Sequence, residues 1–154
     1  MTDLQRFAEQ IRASMPLTRH LDFRMLGWDG ERLTMSAALA PNINDKGTLF
    51  AGSQTALLTL AGWAYSMLLA EPLRVDVVAA TSTMAFNTPI RADMEIVASA
   101  PAEACARFCQ RLARKGRAPL AVQVLAREIG GDWASEYRGN YLATVHPAGD
   151  DAEA

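Results

Sequence analysis

Several features are scarce in this sequence, and each absence excludes a class of protein. Only two cysteines occur, Cys105 and Cys109, and their spacing suits neither a secreted disulfide framework nor a complete zinc site. We therefore expect a reducing cytoplasm, no metal and no cofactor. The formal net charge is only −2, which gives no electrostatic basis for binding nucleic acid or an anionic membrane. The N-terminus lacks the basic run and the apolar run of a signal peptide.

What is present has the composition of one soluble globular domain. Half of the 154 residues are hydrophobic and 21% are charged, which suffices for a sizeable core. Internal repeats and low-complexity segments are absent from the sequence. We predict a single domain over 1–148 and a disordered acidic tail over 149–154.

Charged residues are also absent from Gly47 to Ala70, and the rest of the chain is organised around this segment. It predicts a helix that is apolar on all sides and must be buried in a protein core or a membrane. Four uncharged polar residues interrupt it: Gln54, Thr55, Thr59 and Ser66. Because flanking Lys/Arg clusters are missing as well, we favour a helix wrapped by a sheet over a membrane span. Ser53 is the predicted N-cap.

Hydrophobic periodicity and turn residues predict the other elements. The first is a helix that Thr2 caps, with Asp3 in its first turn, and that ends at Pro16; strands His20–Trp28 and Glu31–Leu39 follow, joined by an Asp29-Gly30 turn with positive φ at both residues. After the central helix come strands Val75–Asn87 and Met94–Ala100, and then a helix from Pro101 to Lys115 that ends at Gly116. The last two strands are Leu120–Glu128 and Trp133–His146, joined by a turn at Gly130-Gly131. Six mostly antiparallel strands that curl around one long helix form the α+β hotdog architecture. One curved sheet cannot cover so apolar a helix, so we expect at least a homodimer.

The loop before the central helix resembles a family signature. Hotdog-fold thioesterases carry Asn-x-x-Gly-x-x-His-Gly-Gly there, and this chain reads NDKGTLFAGS from Asn44 to Ser53, followed by LAGWA. These strings are most similar to the thioesterase domain of the YiiD type, which is fused behind an acetyltransferase in some bacteria and also has Phe in place of His. The resemblance covers nearly the whole chain and implies a stand-alone thioesterase domain. The helix position at which many hotdog thioesterases carry a catalytic acid is Thr59 here.

Thioester hydrolysis needs an oxyanion donor, an activated water and room for an acyl chain. We expect the backbone N–H groups of Gly52 and Ser53, at the positive end of the helix dipole, to polarise the carbonyl. Asp45 is the candidate base and Asn44 the candidate group that orients water or the carbonyl. With the family-like arrangement, Ser82 and Thr59 could hold the water. The candidate substrate-binding residues are Gly47, Thr48, Phe50 and Ala51.

Structural alternatives stay open for each of these residues. Asn44-Asp45 can form an ordinary turn, Gly52 can serve helix–strand packing, and Thr59 can bond the carbonyl one turn earlier. Ser82 can equally be a structural residue that faces the strand ladder. We expect Cys105 and Cys109 to be buried and inert, and we expect structural or exposed roles for the histidines, His20 and His146. Trp63 and Tyr65 are core residues or the wall of an acyl pocket. A basic helix face could meet CoA phosphates or simply be solvated: Arg107, Arg111, Arg114, Lys115 and Arg117.

Three functions compete. The leading hypothesis is hydrolysis of an acyl-CoA or acyl-carrier thioester, a small-molecule substrate. The second is a non-catalytic acyl-CoA-binding or dimerisation module, because the central helix contains no acid. A hydratase or dehydratase ranks last, since that chemistry usually needs a His where Phe50 stands.

Overall fold

The computed structural model describes residues 3–147. Its helices are α1 (Leu4–Ser14), α2 (Ala51–Ala70) and α3 (Ala102–Lys115), and its strands are β1 (Phe23–Trp28), β2 (Arg32–Ala37), β3 (Val75–Phe86), β4 (Met94–Ser99), β5 (Arg117–Glu128) and β6 (Trp133–Val145). The predicted acidic tail and the predicted cap Thr2 lie outside the described residues. The strands form a six-stranded sheet in the order β1-β2-β4-β5-β6-β3, and each neighbouring pair is antiparallel.

One face of this curved sheet packs on α2, which confirms the predicted hotdog fold. Alternate residues of β5 and β6 point at the helix: Ala118, Leu120, Val122, Val124 and Ala126 on β5, and Tyr137, Tyr141 and Ala143 on β6 are buried. Because side chains alternate along a strand, the residues between them lie on the outer face of the sheet. The core therefore sits between the sheet and α2.

The absence of charge on α2 matches its burial. Most of the helix circumference is buried, by residues that include Leu57, Leu58, Leu60, Ala61, Ala64, Tyr65 and Leu68, whereas the side that carries Ala56, Thr59, Trp63 and Met67 is half-buried. Burying one large apolar side chain stabilises the fold by about 1.5–3 kcal/mol, so this helix supplies much of the driving force for folding. No helix within residues 3–147 is long and apolar enough to cross a membrane.

The first part of the chain differs from the prediction at its caps and strand ends. Asp3 is the N-cap of α1, not a first-turn residue, and its carboxylate accepts hydrogen bonds from the N–H groups of Gln5 and Arg6. A short 3₁₀ helix, Pro16–His20, replaces the start of the first predicted strand. At the other end of the chain β5 starts at Arg117, three residues before the predicted Leu120.

The predicted hairpin between β1 and β2 forms, but by a different turn. Gly30 has φ of 93°, whereas Asp22 is the only non-glycine residue with positive φ within residues 3–147. The prediction of positive φ at Asp29 is therefore wrong. Asp29 instead accepts hydrogen bonds from the N–H groups of Glu31 and Arg32 at 2.8 and 2.7 Å. These bonds favour the charged carboxylate and lower the pKa of Asp29.

Helix α3 forms as predicted and ends at Gly116, whose φ of 67° gives the left-handed stop. The expectation that both cysteines are buried is wrong, because Cys109 is exposed and Cys105 is half-buried. Both are free thiols. The Sγ atom of Cys105 lies 3.2 Å from the Tyr65 hydroxyl, and that of Cys109 approaches the Leu69 carbonyl. The cysteines therefore face α2, and Phe108 and Leu112 supply the buried face of α3.

Candidate functional site

A buried asparagine anchors the loop that leads into α2. The side-chain amide of Asn42 donates hydrogen bonds to the carbonyls of Leu21 and Ala38, both at 2.8 Å. The backbone carbonyl of Asn42 accepts from the Phe50 N–H at 2.7 Å. Asn42 is only 2% exposed, so it fixes the residue directly before the helix. No role was predicted for Asn42 from the sequence, although asparagine is a residue that bonds backbone groups in loops.

The next loop residues form a compact turn closed by Asn44. Its side-chain oxygen accepts from the N–H groups of Lys46 and Thr48, and its side-chain nitrogen donates to the Thr48 hydroxyl. Gly47 takes the positive φ of 74° that this turn requires. The Asn44 amide is thus engaged inside the loop, which matches the alternative of an ordinary turn. Asp45 points outward, 80% exposed, and pairs with Lys46 at 2.8 Å.

The N-terminus of α2 presents unpaired backbone N–H groups. Helix α2 starts at Ala51, Phe50 is the N-cap, and no side chain caps it. The predicted cap Ser53 is therefore wrong: it lies inside the first turn, because the extended backbone that a cap needs occurs at Phe50. The Gln54 N–H is the first to enter the helix ladder, bonding the Phe50 carbonyl. Within the described residues, the N–H groups of Ala51, Gly52 and Ser53 have no backbone acceptor.

An aromatic ring lies against these N–H groups. A Cβ at Gly52 would come 2.5 Å from the Phe50 ring, and its nearest neighbours are ring atoms and not a strand. Glycine therefore lets the ring lie this close to the start of the helix. Phe50 itself is 52% exposed. Ala51 and Gly52 are exposed, and Ser53 is half-buried. The helix end is thus accessible along one side and covered by an apolar surface on another.

Gln54 ties this helix end to the sheet. It is 4% exposed, its amide nitrogen donates to the Leu49 carbonyl at 3.2 Å, and its amide oxygen accepts from the Ser135 hydroxyl at 2.6 Å. These two hydrogen bonds connect the loop, α2 and β6 through a single buried side chain. In the sequence, Gln54 was identified only as a polar residue within the apolar helix. Its role could have been predicted from the position of a long side-chain amide at the start of an apolar helix, because a buried amide needs hydrogen-bond partners.

An apolar cavity of about 280 Å³ runs beside α2, between the helix, β3 and the segment after α1. Its helix wall is Ala56, Thr59, Leu60 and Trp63, and residues with this spacing share one helix face. Ala79 of β3 and Tyr141 of β6 lie opposite, and Leu17 and Leu21 close one side. Thr59 lies about 9 Å along the helix from Ser53 at 1.5 Å per residue. The cavity and the free N–H groups therefore lie along the same helix.

One buried tyrosine, Tyr141, lines the cavity, and a second, Tyr137, lies beside it. The Tyr141 hydroxyl donates to the Thr59 carbonyl at 2.8 Å and lies 2.9 Å from the Tyr137 hydroxyl. Burial, with Tyr137 as the second cause, raises the pKa of Tyr141 above its usual range. Tyr141 is therefore a neutral hydrogen-bonding group. Within the part of the chain that the structure describes, there is no hydrogen bond from the Thr59 hydroxyl to the carbonyl one turn earlier. Bonds of this kind are made by the hydroxyls of Thr55, to Ala51, and Ser66, to Gly62. Thr59 contributes its backbone carbonyl, which accepts from Tyr141.

Only one member of the predicted water-holding pair lines the cavity. Thr59 lines the cavity, whereas Ser82 is exposed on β3 and is not part of the lining. Ser82 pairs with Gly139, and Gly139 belongs to the buried, helix-facing set of β6. Cross-strand partners point to the same face of a sheet. Ser82 thus faces the side of α2, farther along the strand than Ala79.

Titratable groups are sparse around the helix start. The α2 segment itself carries no carboxylate. His20 is exposed, and His146 lies 3.0 Å from Asp76 at the end of β6 remote from Ser135. Within residues 3–147, no three His, Cys, Asp or Glu side chains come together as metal ligands. What the site offers chemically is a set of backbone donors, an apolar cavity and neutral hydroxyl groups.

A six-stranded antiparallel sheet curved around a buried helix, with free N–H groups at the start of that helix, defines a hotdog-fold protein. The chain belongs to the family described as "Putative thioesterase (yiiD_Cterm)", whose model matches residues 4–145. The family and its fold agree with the resemblance read from Asn44 to Ser53.

Solved structures show the same fold. A "putative thioesterase" from Shewanella oneidensis is 24% identical, covers 93% of this chain and 97% of its own, and has a TM-score of 0.78. A protein of unknown function from Chlorobaculum tepidum is 22% identical, with 92% and 94% covered and a TM-score of 0.81. A thioesterase from Haemophilus influenzae is 15% identical, with 99% and 96% covered and a TM-score of 0.74. A search of curated proteins found no match.

Proposed function

We propose that this protein hydrolyses an acyl-CoA or acyl-carrier thioester. One observation carries the proposal: free N–H groups at the start of a buried helix lie on the same helix as an apolar cavity. A thioester whose acyl chain enters the cavity beside Thr59 and Trp63 can bring its carbonyl to that helix end. The family and the thioesterase-like fold support the same reaction class.

The proposed oxyanion donors are the N–H groups of Gly52 and Ser53. They need no reorganisation when charge develops on the carbonyl oxygen, and the helix dipole adds to their effect. Removing one such donor typically raises the barrier by about 2.7–4 kcal/mol. Phe50 and Ala51 would flank the thioester, and the turn at Gly47 and Thr48 would border its carrier arm.

The attacking water needs a base. Helix α2 supplies none, so we assign this role to Asp45, the carboxylate of the loop that enters the helix. Thr59 and Ser82 would hold the water, and Asn44 would act by holding the turn that carries Asp45. Water oxygen bonds to the carbonyl carbon, the carbon–sulfur bond breaks, and the water proton reaches the leaving thiolate through Asp45.

The test is release of free thiol from acyl-CoA substrates of increasing chain length. Asp45→Asn should lower kcat at least about tenfold, because general bases usually contribute 10²–10⁴-fold. Glu9→Gln is the matched control: it also neutralises an exposed carboxylate, on α1, and should leave turnover unchanged. Failure of the wild-type protein to release thiol from any chain length would defeat the hydrolase proposal. Full activity in Asp45→Asn would defeat the role of Asp45 alone.

A non-catalytic acyl-thioester-binding module is the second candidate. It is favoured by the exposure of Asp45, whose side chain is 80% accessible and engaged with Lys46. This alternative predicts that a non-hydrolysable acyl-CoA analogue binds while acyl-CoA itself is never cleaved.

The assembly we propose is a homodimer in a reducing cytoplasm, where both free cysteines stay reduced. Strand β3 is an edge of the sheet and twelve residues long. Val78 and Phe86 on it are 57% and 49% exposed. A long edge strand with apolar side chains is a template for pairing with another strand, and a second copy of β3 would cover it next to the cavity wall at Ala79.

A further inference from the structure

A second, larger cavity shares no lining residue with the one beside α2 and is lined with positive charge. It has a volume of about 650 Å³ between α3 and the first half of β5. Four cations border it: Arg107, Arg111, Arg114 and Lys115. Its floor includes Pro119, Ala121 and Asn140. We call this cavity the cationic cleft. Pro119, Ala121 and Asn140 are exposed and alternate with helix-facing residues, so the cleft is separate from the cavity beside α2.

These cations lack the acidic partners that a solvated helix face usually has. Arg107 approaches Glu103 at 3.8 Å, with both side chains more than 70% exposed. Exposed pairs of this kind contribute little, about 0–1 kcal/mol. Within residues 3–147, no acidic side chain pairs with Arg111, Arg114 or Lys115. Helix α3 carries four cations against the single acid Glu103, in a chain whose net charge is −2.

Their arrangement is not explained by the helix dipole. Arg114 and Lys115 lie in the last turn of α3, where cations are favoured. Arg107 and Arg111 lie earlier, outside the reach of that effect. Arg107, Arg111 and Arg114 follow the spacing that places side chains on one helix face. Three guanidinium groups therefore flank one concave surface, and guanidinium groups bind phosphate in a bidentate manner.

The other walls of the cleft are suited to an organic group attached to the phosphates. Ala104, Phe108, Pro119 and Ala121 give apolar surface, and Gln110 and Asn140 give side-chain amides. Asn140 is held by a hydrogen bond from its amide nitrogen to the Thr81 hydroxyl at 2.8 Å. The volume lies within the 300–1,000 Å³ that is typical of small-ligand sites.

We propose that the cationic cleft binds a nucleotide that carries at least two phosphate groups. The arginines would take the phosphates, and the apolar floor with its amides would take the nucleoside. The same chemistry occurs in the nucleotide end of CoA and in free nucleotides, and the cleft binds this unit whether or not the protein hydrolyses thioesters. A concave site of this size favours a small molecule over the surface of a protein or a nucleic acid.

The test is calorimetric titration of the full chain with adenosine 3′,5′-bisphosphate. The double variant Arg111→Ala/Arg114→Ala should bind at least about tenfold more weakly, because charge-assisted hydrogen bonds are among the stronger ones. The control Arg6→Ala/Arg91→Ala removes the same charge at two exposed residues outside the cleft and should change the Kd less than about twofold, since exposed charges are screened at physiological salt. Thermal unfolding checks that both variants fold.

Three results would overturn the proposal. They are absence of binding to the wild-type protein, equal binding by the Arg111/Arg114 variant, and equal weakening in the control, which would indicate diffuse attraction. The proposal would also be overturned if the wild type did not bind the nucleotide and the Arg111/Arg114 variant lost activity only toward an acyl-carrier protein. That result would identify the cleft as a protein-docking surface.

Turnover then identifies the source of the nucleotide. If the Arg111/Arg114 variant has a raised KM for acyl-CoA and an unchanged KM for acyl-pantetheine, the cleft binds the nucleotide end of the substrate. Unchanged kinetics on both, with weakened titration, supports a free nucleotide. If no thioester is cleaved, the hydrolase proposal fails while the titration still decides the cleft.

Discussion

Gly62 makes room for the buried tyrosine network at the level of single residues. A Cβ at Gly62 would collide with the Tyr141 hydroxyl and would come within 2.8 Å of its ring. The Tyr141 hydroxyl cannot easily move, since it is bonded to both the Thr59 carbonyl and Tyr137. Glycine in mid-helix normally costs about 1 kcal/mol relative to alanine. Here the close approach of the tyrosine outweighs that cost.

Gly62→Ala should therefore destabilise the protein by about 1–3 kcal/mol, as overpacking does, despite the gain in helix propensity. Urea unfolding measures the change. Gly27→Ala is the control, because a Cβ there meets nothing within 4 Å, and its stability should stay within about 0.5 kcal/mol of the wild type. Adding Tyr141→Phe to Gly62→Ala removes the first atom in the collision and should recover part of the loss. Equal effects of the two alanine substitutions would contradict this role.

The positions of individual side chains were the part of the structure that the sequence did not predict. The loop signature from Asn44 to Ser53 led to a predicted cap at Ser53, three residues after the observed cap Phe50. It could not reveal that Phe50 turns over Gly52, because ring orientation depends on tertiary contacts. Ser53 matched the preferences of a cap, but the backbone held by Asn42 sets the cap at Phe50. Asn42 itself acts through partners at Leu21 and Ala38, and no local pattern identifies them.

At the scale of elements, the start of α2 is held to β6 by Gln54 and Ser135. The hydrogen bond between their side chains is 2.6 Å long and buried. Gln54 also binds the Leu49 carbonyl. A buried polar group left without its partner costs about 1–3 kcal/mol. The pair therefore fixes the helix end, with its free N–H groups, relative to the sheet.

A double-mutant cycle tests this connection. Gln54→Leu and Ser135→Ala should each destabilise the fold by about 1–3 kcal/mol. The double variant should lose less than the sum, with a coupling of at least about 0.5 kcal/mol, because the residues share one interaction. Thr55→Ala is the control, since its hydroxyl bonds only the carbonyl one turn back. Additive single effects in chemical denaturation would show that the contact does not stabilise the fold.

The types and order of the elements were predictable, because alternation in the strands and the uncharged run of α2 are local signals. Met94–Ser99 and Val75–Phe86 lie where the alternation placed them. The 3₁₀ helix at Pro16–His20 was not predicted. Its residues include Leu17 and Thr18, which border the cavity beside α2, so that segment is shaped by packing and not by its own pattern.

At the scale of the whole molecule, the sheet leaves two edges, β1 and β3. Strand β3 pairs with β6 along nearly its whole length, and this pairing joins segments distant in sequence. Periodicity could not predict it, because strand order depends on long-range contacts. The placement matters for function, since it puts Ala79 in the cavity and leaves the other side of β3 available to a second chain.

The two edges allow a matched test of the proposed dimer. Val78 on β3 and Leu26 on β1 have the same exposed fraction, 57%. Val78→Lys puts a charge on the proposed interface, and an edge lysine opposes strand pairing, so we expect a monomer by light scattering at concentrations where the wild type is a dimer. Leu26→Lys changes the same properties at the other edge and should stay dimeric. A monomeric wild type would contradict the dimer itself, and dissociation caused by Leu26→Lys but not by Val78→Lys would remove β3 from the interface.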